Sequence, residues 1–196
     1  GKEDSGRAPE RRGVASLPRP AGHLIWMHAA SVGESLSLLP IVESVLKECP
    51  FSKILVTTGT VTSANLMGKR LPAGAFHQYM PVDHPSWMCA FMDHWQPQFV
   101  IWAESDLWPN ALHEIRTREI PAVLLNGRMS EKTFSRWKLA PGMIRCLLQS
   151  FDLCLAQNEA EASRLKACGA SDVKIAGNLK YGADPLPHDP QKLQEL

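Results

Sequence analysis

From His23 onward, short apolar runs alternate with stretches of helical periodicity, and this alternation restricts the chain more than any other feature. Strands are expected at His23–Ala30, Lys53–Thr58, Phe76–Met80, Gln98–Ala103, Ala122–Asn126, Leu153–Gln157 and Val173–Ala176. Helices are expected at Leu36–Glu48, Val61–Arg70, Ser86–Trp95, Trp108–Arg118, Lys132–Gln149 and Glu159–Ala167. Such a pattern argues an α/β fold, a mostly parallel sheet with helices on both faces. Pro85 and Pro109 fall near helix starts, where a missing N–H is harmless. Pro141 falls inside Lys132–Gln149, so that stretch is kinked or split. Asn158 followed by Glu161 suits a capping box. Trp87, Met88, Phe91, Met92 and Trp95 form one apolar stripe at helical spacing, the pattern of a core-facing helix.

The loops that carry polar chemistry each follow a strand: Ser31–Glu34, Thr58-Gly-Thr60, Pro81–His84, Glu104–Asn110 and Asn126–Ser130. In a parallel sheet these loops share one edge, and ligands bind at that edge. Ser31-Val-Gly-Glu34 ends the first apolar run, with a helix following from about Leu36. Glu34 is therefore a candidate general base. Its alternative role is a first-turn charge favoured by the helix dipole. Glu104 ends the apolar strand Phe99-Val-Ile-Trp-Ala103, where a carboxylate rarely sits without a partner. It could hold a cation, polarise a reacting centre, or pair with Arg128 from the next strand end; these roles are compatible. Asp83-His84 and Asp93-His94 match no standard ligand spacing, so neither metal nor cofactor is expected. His28, inside a strand, reads as a hydrogen-bonded core or site-wall residue.

The chain has 196 residues, enough for one domain with a sizeable core or two small ones. A net charge of +1 supplies no global field for nucleic acid. Five cysteines without a Cys-x-x-Cys pair favour reduced thiols in a cytosolic setting. No apolar run approaches the roughly 18 residues of a membrane span, and no signal peptide is visible. Residues 1–22, with Arg7, Arg11 and Arg12, read as a basic, proline-rich solvated arm. Residues 23–182 read as the folded domain, and 183–196 as the start of a linker. The polar opening without Met and the Pro-rich Asp184–Pro190 stretch give both ends a cut look. Between Arg128 and Leu148, Lys132, Arg136, Lys138 and Arg145 are interleaved with Phe134, Trp137, Met143 and Leu147. That composition fits a basic amphipathic surface lying on anionic lipid, or equally a core helix with a solvated face.

Several segments together resemble the 3-deoxy-D-manno-octulosonic acid (Kdo) transferases of lipopolysaccharide synthesis. Ser31-Val-Gly-Glu34 resembles that family's glycine-and-glutamate signature. Pro81-Val-Asp83 is similar to its Pro-x-Asp, and Glu104-Ser-Asp-Leu-Trp-Pro-Asn110 to its Glu-x-Glu-Leu-Trp-Pro-Asn. Asn126-Gly-Arg-Met-Ser130 is similar to Asn-Ala-Arg-Leu-Ser, and Gly177-Asn-Leu-Lys180 to Gly-Asn-Leu-Lys. The motifs run in the family's order from Ser31 to Lys180. Asp106 stands where the family has glutamate, and Gly127 where it has alanine.

The resemblance implies a Rossmann-like sheet forming the amino-terminal, acceptor-side half of a GT-B glycosyltransferase. The donor domain would follow residue 196, and a short hydrophobic anchor would precede the arm. The implied reaction moves Kdo from CMP-Kdo to a lipid A precursor, with inversion, at the cytoplasmic face of the bacterial inner membrane. Glu34 would be the base, with Glu104 and Lys180 stabilising transition-state charge. Ser31, Gly33, Thr58, Asn126 and Arg128 would shape the acceptor side. An anionic membrane surface would be a partner, and nucleic acid would not. On its own this stretch would be inactive. Rival readings are another GT-B nucleotide-sugar enzyme, or a non-catalytic acceptor-binding fragment. A NAD-binding oxidoreductase would need Gly-x-Gly-x-x-Gly after the first strand, and Ser31–Glu34 lacks it.

Overall fold

The computed structural model describes residues 4–178. Seven strands are β1 (Leu24–Ala29), β2 (Lys53–Thr58), β3 (Ala75–Tyr79), β4 (Phe99–Ala103), β5 (Ala122–Gly127), β6 (Leu153–Ala156) and β7 (Val173–Ile175). The helices are α1 (Val32–Glu48), α2 (Val61–Arg70), α3 (Pro85–Trp95), α4 (Pro109–Thr117), α5 (Glu131–Trp137), α6 (Pro141–Leu148) and α7 (Glu159–Ala167). All the strands pair in parallel in the order β3-β2-β1-β4-β5-β6-β7. The order reverses direction between β1 and β4. That switch point opens a crevice at the carboxyl ends of the strands.

Strand residues alternate between two cores, as the period of two requires. Leu24, Trp26, Leu55, Val100, Trp102 and Leu124 join the cluster that includes α3, α4, α6 and α7 residues. Ile25, Met27, Ile54, Val56, Ile101 and Ala103 join the cluster under α1 and α2. Both faces are covered, so the central strands are buried along their whole length. Met88, Phe91, Met92 and Trp95 of α3 are buried, as their spacing foretells, with Trp87 at the margin.

Pro85, Pro109 and Pro141 each open a helix. Pro141 thus splits the expected Lys132–Gln149 helix into α5 and α6, because proline cannot donate the hydrogen bond that would continue the turn. Asn158 caps α7, its Oδ1 accepting the Glu161 N–H at 3.0 Å. Helix α1 starts earlier than the expected Leu36, since capping residues are polar and invisible to apolar periodicity.

The first segment differs from its sequence reading. Ser5–Arg12 is not a solvated arm but a 3₁₀ helix lying against β3 and α3. Glu10 is only 1% exposed. Gly13 closes the helix at φ 79°, and a Cβ there would stand 2.2 Å from the Trp87 carbonyl oxygen. Farther along, Arg19 donates to the Trp95 carbonyl at 2.8 Å, tying the stretch to the end of α3. Lys180 and the linker stretch 183–196 lie outside the described residues.

Candidate functional site

At the end of β1 the chain turns directly into α1. Ser31 has extended backbone, and its Oγ accepts the Glu34 N–H at 3.3 Å. The Glu34 carboxylate reaches back. Its Oε1 accepts the Ser31 hydroxyl at 2.7 Å and its Oε2 accepts the Ala30 N–H at 2.8 Å. This is a capping-box variant in which the carboxylate holds the N–H one residue before the cap, and it locks the carboxylate in one rotamer at the switch point. A carboxylate offers about four lone-pair sites, so two acceptor bonds leave capacity for an incoming proton. A Cβ built on Gly33 would meet nothing within 4 Å, so packing inside the chain does not demand glycine there.

Across the crevice, β4 ends at Ala103 and the next residue, Glu104, takes left-handed backbone at φ 59°. Asn126 does the same at φ 54°. It sits in a bulge: Leu124 pairs with Cys154 but Gly127 with Ala156, so β5 carries one extra residue there. Bulges re-aim side chains beside functional sites. Here the bulge lets Asn126 Nδ2 donate to Glu104 Oε1 at 3.2 Å. The β4 and β5 loops are also joined by the Arg128 N–H donating to Ser105 Oγ at 2.8 Å.

Glu34, Glu104, Ser105, Asp106, Arg128, Ser130 and Thr133 line one open cleft of about 320 Å³. Three carboxylates and one guanidinium thus share a small polar space. Arg128 Nε lies 4.0 Å from Glu161 Oε1, on α7. Burial raises the Glu161 carboxyl above its usual range, opposed by Arg128 and Arg164. The Asp106 carboxylate accepts the Trp108 indole N–H at 2.8 Å, and its carbonyl accepts that of Trp102 at 2.9 Å. Behind these rings lies His28, fully buried, its ring 4.4 Å from that of Trp102 and its Nδ1 2.9 Å from Thr57 Oγ1. Burial pushes His28 down to about 3, so the imidazole is neutral at physiological pH.

Two further motifs prove to be one structural joint. Asp83 Oδ1 accepts the N–H groups of Asn110 and Ala111 at 3.1 and 3.0 Å, capping α4 from a distant loop. Asn110 Nδ2 answers by donating to the Asp83 carbonyl at 2.8 Å.

The model of the family described as 3-deoxy-D-manno-octulosonic-acid transferase (kdotransferase) matches residues 6–183. The chain belongs to the Kdo transferase family. A Kdo transferase of Rickettsia bellii is 34% identical over 196 residues, covering all of this chain and 47% of that protein. The Haemophilus influenzae one is 33% identical over 171 residues, covering 86% of this chain and 40% of its own length. A probable mitochondrial Kdo transferase of Arabidopsis thaliana is 36% identical over 185 residues, covering 92% and 41%. The chain therefore spans less than half the length of these relatives. Among solved structures, the Neisseria meningitidis UDP-GlcNAc 2-epimerase bound to UDP-GlcNAc superposes with a TM-score of 0.59 at 12% identity, covering 82% of this chain and 48% of that one. A putative UDP-N-acetylglucosamine 2-epimerase from Listeria monocytogenes gives 0.61, also at 12%, covering 89% and 52%. At that identity the likeness shows the fold alone, the amino-terminal half of a GT-B-like architecture.

Of the residues expected to act in a Kdo transferase, Glu34, Glu104 and Arg128 come together in the cleft. Ser31 stands beside them as the cap. Asn126 is buried and acts on Glu104. Thr58 is buried in the sheet with its hydroxyl 2.9 Å from His77 Nε2, facing away from solvent. Arg128, expected as an ion partner for Glu104, reaches toward Glu161, and Arg128 and Glu104 line the same cleft. Ser105, Ser130 and Thr133 also line the cleft, and none of them is among the residues the sequence reading expects there. The cap pattern Ser130-x-x-Thr133 was a readable signal, since Ser130 Oγ accepts the Thr133 N–H at 3.2 Å. The Asp83-His84 and Asp93-His94 pairs have other partners: Asp83 caps α4, and Asp93 pairs with Arg118 at 2.7 Å. No group of three or more His, Cys, Asp or Glu among the described residues is placed to hold a metal.

Proposed function

We propose that the full-length protein transfers Kdo from CMP-Kdo to a glucosamine hydroxyl of a lipid A precursor. The observation that carries this reading is the meeting of Glu34 and Glu104 in one cleft at the switch point of a Kdo transferase sheet. Glu34 takes the proton from the acceptor hydroxyl. The oxygen attacks the Kdo anomeric carbon from the face opposite the phosphate, and CMP leaves with the bonding electron pair, so the centre inverts. Glu104, with Lys180 from beyond the described residues, stabilises charge as the sugar–phosphate bond breaks. Ser31, Gly33 and Arg128 shape the acceptor side, Asn126 acts there through Glu104, and Thr58, buried against His77, supports the loop from within the sheet. The open space at Gly33 supports a ligand approaching the backbone there.

The acceptor is a lipid, so the reaction takes place at a membrane, and we place it at the cytoplasmic face of the bacterial inner membrane. No helix among the described residues is long and apolar enough to cross a membrane. The exposed basic face of α5 and α6, with Leu139 88% and Met143 48% exposed, is the contact we assign to anionic lipid.

The test is Glu34→Gln in the full-length protein with CMP-Kdo and a lipid A precursor, product being followed by mass spectrometry. Loss of a positioned base costs roughly 10²–10⁴-fold in rate. Acceptor binding and folding stay near wild type, because the amide is isosteric. Near-normal turnover by this variant overturns the base assignment, and a wild-type protein that makes no Kdo product overturns the reaction.

A further inference from the structure

One well-built piece of the molecule has no part in the chemistry above. Around Glu10, the 3₁₀ segment Ser5–Arg12 makes a buried polar network on the edge strand β3. Arg7 meets Glu10 through two bonds, Nε to Oε1 at 2.7 Å and Nη2 to Oε2 at 2.8 Å. Glu10 Oε2 also accepts the Tyr79 N–H at 2.7 Å, occupying a donor on the sheet edge. Arg7 Nη2 donates to the His77 carbonyl at 2.9 Å and lies 3.1 Å from His77 Nδ1. Nη2 has two protons for these three acceptors, and the shorter bonds, to Glu10 Oε2 and the His77 carbonyl, take them, leaving Nδ1 as a close neighbour. On the other side of the ring, His77 Nε2 lies in hydrogen-bond distance of Thr58 Oγ1, 2.9 Å away. Burial and the two nearby guanidinium groups push His77 down to about 3, so it stays neutral.

Arg11 extends the network to the ligand edge. Its guanidinium lies 4.5 Å over the Tyr79 ring, its Nη2 donates to the Gly59 carbonyl at 2.8 Å, and its own carbonyl accepts the Val82 N–H at 2.9 Å. Gly59 lies beside the end of β1, near enough that a Cβ built on it would be in ordinary contact, 3.5 Å, with the Ala30 carbonyl oxygen. Ala30 is the residue whose N–H holds Glu34 Oε2. Covering a sheet edge needs no buried carboxylate. A few charges or a proline would do it without desolvating a glutamate, an arginine and a histidine. What such a network of charged groups adds is a single arrangement of the groups it touches. Those groups are the loops after β2 and β3.

We propose that Arg11 is a positioning residue: by fixing the Gly59 peptide against Ala30, it sets the carboxylate of Glu34 in the cleft. Docking of the amino-terminal segment and competence of the site are then one event. The inference rests on the assignment of Glu34 as base, and its test separates the two. Arg11→Ala and Arg11→Lys are made in the full-length protein. Rates are measured with CMP-Kdo and a lipid A precursor, and hydrogen–deuterium exchange is measured without substrate. Misplacement of a catalytic group by a fraction of an ångström costs on the order of 10-fold to 10²-fold. Arg11→Ala therefore lowers kcat by that range with KM changed less than about twofold. It raises exchange at residues 30–34 and 59–63 while β4 and β5 stay protected. Arg11→Lys, which restores one donor to the Gly59 carbonyl, recovers most of both. Unchanged exchange at 30–34 in Arg11→Ala overturns the proposal, whatever the rate. So does exchange that rises equally across β4 and β5, which marks general loosening. A wild-type protein inactive with CMP-Kdo refutes the reaction but leaves the exchange comparison to decide the positioning.

Discussion

Glu104 and Asn126 face each other with left-handed backbones, and only one of them is a residue type at home there. Asparagine enters this region readily, whereas glutamate carries the full Cβ penalty. Strain of this sort persists where the surroundings over-determine it, as the bulge in β5 and the Asn126–Glu104 bond do here. A direct measure is the difference between Glu104→Gly and Glu104→Ala. Both lose the carboxylate, but only the alanine keeps the strain, so the glycine variant is more stable by about 1–2 kcal/mol in urea unfolding. Equal stabilities would mean that the backbone at this position is relaxed. Such conformations cannot be read from the sequence, because they belong to the bulge and not to Glu104 itself. The polarity of the position was legible, since a carboxylate closing the run Phe99–Ala103 needs a partner. Glu34 shows the reverse case. Its value was legible from the strand end, but its hydrogen bonds to Ser31 and Ala30 depend on α1 starting at Val32, which apolar periodicity places too late.

The helices α5 and α6 divide the labour that the sequence assigned to one amphipathic stretch. Ile144, Leu147 and Leu148 are buried, and Phe134 and Trp137 pack partly against the same core. Leu147 is therefore a core group and Trp137 a partly core-facing one, which for these two residues is the core-helix alternative that the composition left open. The exposed apolar groups are Leu139 and Met143, at and after the break before Pro141. Lys132 and Arg136 are exposed on α5, so the basic face is free to meet anionic headgroups. Each cation near such a surface contributes about 1 kcal/mol, so Lys132→Glu with Arg136→Glu weakens vesicle binding of the full-length protein by about 2 kcal/mol or more. Co-sedimentation with phosphatidylserine vesicles at low salt reads this directly, and the difference shrinks as salt rises. Unchanged binding of the double variant would remove this face from the membrane contact. The 3₁₀ segment failed to show in the sequence for a related reason. Its partners are far away in the chain: Glu10 meets Tyr79, and Arg7 meets His77. A cluster of arginine, glutamate and proline looks solvated until those partners are known.

At the scale of the whole molecule, the sheet was the most legible feature, because every central strand is buried on both faces and must be apolar throughout. Strand order was not legible, but it decides where the chemistry sits: β1 and β4 become neighbours, and Glu34 and Glu104 meet although far apart in sequence. The resulting cleft, about 320 Å³, is built from strand-end loops along one edge of one sheet and is open. Glycosyl transfer from an activated donor requires that water be kept from the reacting carbon, which an open cleft does not do. The chain also spans only 47% of the Rickettsia bellii relative and 40% of the Haemophilus influenzae one. We therefore expect the 196-residue chain by itself to yield no Kdo-bearing product from CMP-Kdo and a lipid A precursor. This would not be a failure to fold. The sheet buries its two clusters with its own helices, so the isolated chain should unfold cooperatively and keep a near-ultraviolet circular dichroism signal from Trp26, Trp95 and Trp102, all fully buried. Mass spectrometry of the reaction, beside the melting curve of the same sample, tests both halves of the expectation. Product from the isolated chain would show that this one sheet edge suffices for transfer, and a non-cooperative melt would show that its core depends on chain beyond these residues.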